Sequence, residues 1–71
     1  MFLYYDSISG LYSLQIPGQK TELLGPYVHT TLVLRDYGLT AKQAREAAMR
    51  AMMNRGDGID VEAVKRMAAL Q

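Results

Sequence analysis

The sequence predicts an α+β fold, with an N-terminal antiparallel β-hairpin or three-stranded meander packed on two to three C-terminal α-helices. Three observations predict it. The composition changes near residue 39: all five tyrosines and both prolines precede it, whereas every alanine and four of the five methionines follow it. Aromatic and β-branched residues suit strands, while alanine, methionine, lysine and arginine suit helices. Residues 11–16 alternate, with Tyr12, Leu14 and Ile16 on one face and Leu11, Ser13 and Gln15 on the other. Thr40 and Gln43 form a T-x-x-Q capping box ahead of an alanine-rich run. One small domain over residues 1–71 is expected, with 1–26 as the hairpin or meander and 27–71 mainly helical.

Each element has its own local reason. Phe2 to Tyr5 reads as a first strand. Asp6-Ser7-Ile8-Ser9-Gly10 reads as a turn, because Asp and Ser bond nearby backbone and Gly accepts positive φ. Leu11 to Ile16 completes a hairpin, which Pro17-Gly18 ends. Lys20 to Leu24 supplies a short third strand before Gly25-Pro26. Residues 27–37 are rich in strand formers. Pro26 nevertheless suits a helix start, Thr30 a cap, and Tyr37-Gly38 a helix end, so a short helix from about Thr30 to Tyr37 is expected.

The next helix runs from the Thr40 cap to Asn54. Leu39 and Ala44 are placed as its hydrophobic staple, and Lys42–Glu46 and Glu46–Arg50 as its i,i+4 pairs. Ala44, Ala47, Ala48 and Ala51 give it a narrow face for close packing. Asn54-Arg55-Gly56-Asp57-Gly58 stops it. Asp60 then caps a last helix to about Leu70, with Ile59 and Val64 as staple and Val64, Met67 and Ala68 as apolar stripe.

Size and composition narrow the function classes. A chain of 71 residues without cysteine draws on neither disulfides nor a thiolate zinc site, so packing, self-association or a partner must supply its stability. No stretch approaches the roughly 18 apolar residues of a membrane span, and Met1 to Asp6 lacks the basic and apolar regions of a secretory signal. A cytoplasmic location away from membranes is the expectation. The net charge of +1 gives no broad attraction to nucleic acid, although six of the eight basic residues follow residue 39.

No catalytic constellation emerges. His29 is the single histidine and nothing in the sequence sets a nucleophile beside it, so an enzyme is not expected. No phosphate-cradling glycine motif, cofactor motif or metal-ligand spacing is present; Asp57-Gly58-Ile59-Asp60 lacks the oxygen donors and terminal glutamate of a calcium loop.

What the sequence does carry is a surplus of apolar area. Met49, Met52 and Met53 fall at i, i+3 and i+4, and Met67 lies on the next helix. Methionine fills core gaps and also lines adaptable binding surfaces. Tyr4 and Tyr12 are expected on one face of the hairpin and Tyr5 on the other, which leaves one aromatic face uncovered. These six residues (Tyr4, Tyr5, Tyr12, Met49, Met52, Met53) are the expected partner-binding set of a small protein-binding regulator or inhibitor. Its size suits a bacterial or phage accessory protein that docks on another protein, such as a host macromolecular machine, or forms a homodimer. The alternative is a dimeric DNA-binding regulator. Residues 32–52 have a helix-turn-helix layout and are similar in generic features to regulators of that kind. Lys42, Gln43, Arg45 and Arg50 would then meet nucleic acid.

Overall fold

The computed structural model describes residues 1–54 and 56–69, without the side chains of Ala68 and Ala69. The expected helix stop at Arg55, the helix end at Leu70 and the apolar role of Ala68 lie outside the described residues. The strands are β1 (Phe2–Asp6), β2 (Leu11–Gln15), β3 (Glu22–Gly25) and β4 (Ile59–Asp60). The helices are α1 (Tyr27–Asp36), α2 (Ala41–Met53) and α3 (Val61–Ala69). The architecture is α+β, as the composition implies: one antiparallel sheet of order β3-β2-β1-β4, with helices on one of its faces.

The first turn sets the register. Asp6 Oδ1 accepts from the Ile8 amide at 3.0 Å, and Oδ2 accepts from the Ser9 hydroxyl at 2.9 Å. These bonds to the ionised form hold the Asp6 carboxyl below its usual pKa, the Ile8 amide contributing most. The Gly10 amide donates to the Asp6 carbonyl at 2.7 Å. With four residues in the loop, Asp6 pairs with Leu11, Tyr5 with Tyr12, Tyr4 with Ser13 and Leu3 with Leu14. Directly opposed residues share a face. Tyr5 and Tyr12 therefore stand together on the helix side and Tyr4 points the other way, which corrects the expected grouping of Tyr4 with Tyr12.

A fourth strand was not expected. Residues 59–60 pair antiparallel to β1, Phe2 with Asp60 and Leu3 with Ile59, and the Val61 amide donates to the Met1 carbonyl at 3.0 Å. Two residues carry no alternation to read; the strand exists because the returning chain meets the free edge of β1.

Helix α1 begins three residues before the expected Thr30. Pro26 is its cap residue, and its fixed φ of −73° leads into the helix. Thr30 is no cap: it is buried mid-helix, and its hydroxyl donates to the Gly25 carbonyl at 3.0 Å. At the other end the Gly38 amide donates to the Arg35 carbonyl and the Leu39 amide to the Leu34 carbonyl, a Schellman closure with Leu34 and Leu39 both buried. Gly38 sits at φ +91°, a conformation that costs L-residues about 1–2 kcal/mol. Gly38→Ala is expected to lower stability by about that amount, read as a lower urea midpoint with an unchanged slope.

Helix α2 starts as its capping box requires. The Gln43 amide donates to Thr40 Oγ1 at 3.1 Å, and the Thr40 amide donates to Gln43 Oε1 at 2.9 Å. Asp60 accepts from the Glu62 amide at 3.0 Å at the start of α3. The core joins Leu3, Tyr12, Leu14 and Leu24 of the sheet to Leu34, Leu39, the four α2 alanines, Val61 and Val64. Alanine lets α2 lie close to the strands, close enough for the Tyr12 hydroxyl to donate to the Ala48 carbonyl at 3.0 Å.

Candidate docking surface

An α-helix turns about 100° per residue, so a helix that buries Ala44, Ala47, Ala48 and Ala51 must turn Met49 and Met53 away from the sheet. Helix α3 then runs alongside α2 and brings Met67 to the same place. Between the two helices lies an open groove of about 750 Å³. Met49 and Met53 form one wall, and Met67 with Ala63 the other. Ile59 and Val64, both more deeply covered, form the floor. The methionines are exposed to 49%, 75% and 40% respectively, too much for gap-filling core residues. Met52 lies outside the groove lining, at 38% exposure.

The groove rim is polar and largely self-paired. Arg50 Nε donates to Glu46 Oε1 at 2.7 Å, and Arg66 lies 4.0 Å from Asp60. Each of these charges is substantially solvated, so the pairs add little to stability. Their effect is to leave the rim without a dominant sign of charge.

The tyrosines divide by face. Tyr12 is fully buried and cannot meet a partner; its place in the partner-binding set is corrected by the register, which turns it into the core. Tyr5 leans on it with ring centroids 4.8 Å apart at 54°. Burial raises the Tyr12 phenol to about 12, with Tyr5 and Tyr27 as smaller contributors. Tyr4 stands on the opposite, helix-free face of the sheet, where its hydroxyl donates to Gln15 Oε1 at 3.3 Å. Phe2 and Leu23, both exposed, share that face. Tyr37 donates to Glu22 Oε2 at 3.3 Å, and the carboxylate beside it raises the phenol's pKa.

The residues of the nucleic-acid alternative have separate fates. Gln43 is committed to the capping box and Arg50 to Glu46, while Lys42 and Arg45 are exposed on α2. His29 is exposed on α1, its ring against Gly25. Among the described residues no three histidine, cysteine or acidic side chains gather as a metal would need, and no helix is long and apolar enough to cross a membrane.

The residues expected to act together thus separate. Met49 and Met53 share the groove; Met52, Tyr4 and Tyr5 do not join them. The sequence reading missed Ile59 and Ala63. Ile59 reaches the groove through β4, and Ala63 is one turn before Met67 on α3, a spacing visible once both are placed on the helix face. Comparison of the chain with protein-family models, with curated proteins and with solved structures finds no match in any of the three.

Proposed function

We propose that this chain is a small protein-binding regulator or inhibitor that acts by occupying a surface, with the groove between α2 and α3 as its docking site. The observation that carries this reading is the convergence of Met49, Met53 and Met67, all substantially exposed, on one concave surface. Exposed methionines collected in a groove offer flexible, polarisable contact to apolar side chains of varied shape. The rim carries both signs of charge, so affinity rests on apolar fit while the rim charges act on the partner's orientation.

The test uses the chain as bait in a lysate of its native cells, alongside two variants. Met53→Lys places a charge in the groove. Val28→Lys removes another strongly exposed apolar residue, from α1 and away from the groove. Both variants are expected to keep the wild-type circular dichroism. Capture of one partner protein should survive Val28→Lys and fall about tenfold or more in Met53→Lys, as for a lost interface anchor. Equal capture by both variants would remove the groove from the proposal. Recovery of nucleic acid that depends on Arg45 and not on Met53 would put the DNA-binding reading in its place.

A further inference from the structure

We infer that the occupant of the groove-facing side of α2 is a second copy of this chain, the two α2 helices crossing antiparallel about a twofold axis at the level of residue 48. The inference rests on the reading of this surface as a docking site and names its partner.

The argument is one of charge and symmetry. Glu46 and Arg50 stand one turn apart on the groove rim of α2, beside Met49 and Met53, each about half exposed. A twofold axis midway between them sets Glu46 of each copy against Arg50 of the other. The two ion pairs become a closed ring of four alternating charges. A parallel arrangement would set Glu46 against Glu46 and Arg50 against Arg50, which opposes it.

The same register carries Lys42 to the level of the other copy's Asn54. Asn54 is the C-cap of α2, where the last carbonyls hold partial negative charge that favours a cation. Met49 lies within one residue of the axis and meets its own counterpart, while Met53 extends the apolar contact along each helix. A contact of this kind is isologous and closes at two copies. The chain's net charge of +1 opposes the approach only weakly. A domain this small gains from the additional cover. Helix α2 has 13 residues, about 20 Å of helix, so the contact is at the small end of specific interfaces and a micromolar dimer is expected.

Sedimentation equilibrium on the full chain, from micromolar to near-millimolar concentration, tests this. The mass should rise from one copy toward two and stop there. Glu46→Arg should weaken association about tenfold, and Arg50→Glu likewise. The double variant Glu46→Arg/Arg50→Glu should return to within about threefold of wild type, because the ring re-forms with its signs exchanged. Met49→Lys should abolish the dimer, while Val28→Lys should leave it unchanged. Melting curves of each variant separate loss of association from loss of fold. A monomer throughout, or a dimer indifferent to Met49→Lys and to the charge exchange, overturns the inference. A monomer that still captures a foreign protein through Met53 overturns the dimer and leaves the docking site standing.

Discussion

Tyr12→Ala is expected to abolish the folded state at room temperature. Tyr12 is the largest fully buried side chain, and it is where β2 meets α2. Truncating a buried aromatic to alanine costs about 3–5 kcal/mol, which rivals the whole stability of a domain of this length. Tyr12→Phe separates the ring from its hydroxyl. The phenylalanine keeps the ring packing against Tyr5 and gives up one hydrogen bond to the Ala48 carbonyl, worth about 1 kcal/mol. That variant should fold with a lowered urea midpoint. Alkali gives a third, independent reading. The Tyr12 phenol titrates near 10 in the unfolded chain and is pushed up to about 12 in the fold. Its neutral form is the one the fold holds. The associated stability is therefore whole below pH 10 and is lost as pH rises from 10 through 12. Wild type should lose stability across that window more steeply than Tyr12→Phe. Parallel profiles for the two proteins would mean that the buried phenol carries no such linkage.

What the sequence makes legible here is whatever a few adjacent residues decide. Thr40 and Gln43 satisfy each other's backbone across three positions, so the start of α2 and its alanine face can be read without knowing the neighbours. The α+β layering follows from the same local composition. The start of α1 is less legible because Pro26 and Thr30 are both plausible cap positions, and burial decides between them: Thr30 is enclosed, and its hydroxyl turns back to Gly25. Strand β4 is legible nowhere in residues 59–60, since its pairing belongs to the edge of β1. The tyrosine faces lie between these cases. Alternation shows two faces but not which residues of the two strands share one; the loop length decides that. A register shifted by one residue would set Tyr4 opposite Tyr12 or Leu14, on one face with Tyr12, and turn Tyr5 to the other face. For the groove, the helical spacing of Met49 and Met53 showed a shared stripe. The position of α3, and with it Ile59 and Ala63, needed the tertiary path.

Gly58→Ala should be the second severe substitution, through strain that two elements share. Gly58 has φ +79°, where any side chain costs about 1–2 kcal/mol. It also lies directly under the Tyr4 ring: a Cβ there falls 2.8 Å from Cδ1 and 2.9 Å from Cζ. The Tyr4 ring must leave this place, giving up its packing on Gly58 and its bond to Gln15. Tyr4 belongs to β1, the strand to which β4 pairs, and the Gly58 carbonyl accepts from Asn54 Nδ2 at 2.7 Å. Overpacking adds about 1–3 kcal/mol to the backbone cost, so a loss of about 2–5 kcal/mol is expected, read by urea or thermal unfolding. A double-mutant cycle isolates the contact. Tyr4→Ala alone should cost stability, yet in the Gly58→Ala background it should recover part of what the alanine lost, because the clash is gone while the positive φ remains. Additive losses within about 0.5 kcal/mol would deny that the Tyr4 ring occupies this place. The consequence reaches the candidate site, because Gly58 leads into β4, which carries Ile59 to the groove and positions the first turn of α3. Where Gly58→Ala still folds, it should therefore weaken association through Met49 and Met53 although it touches neither.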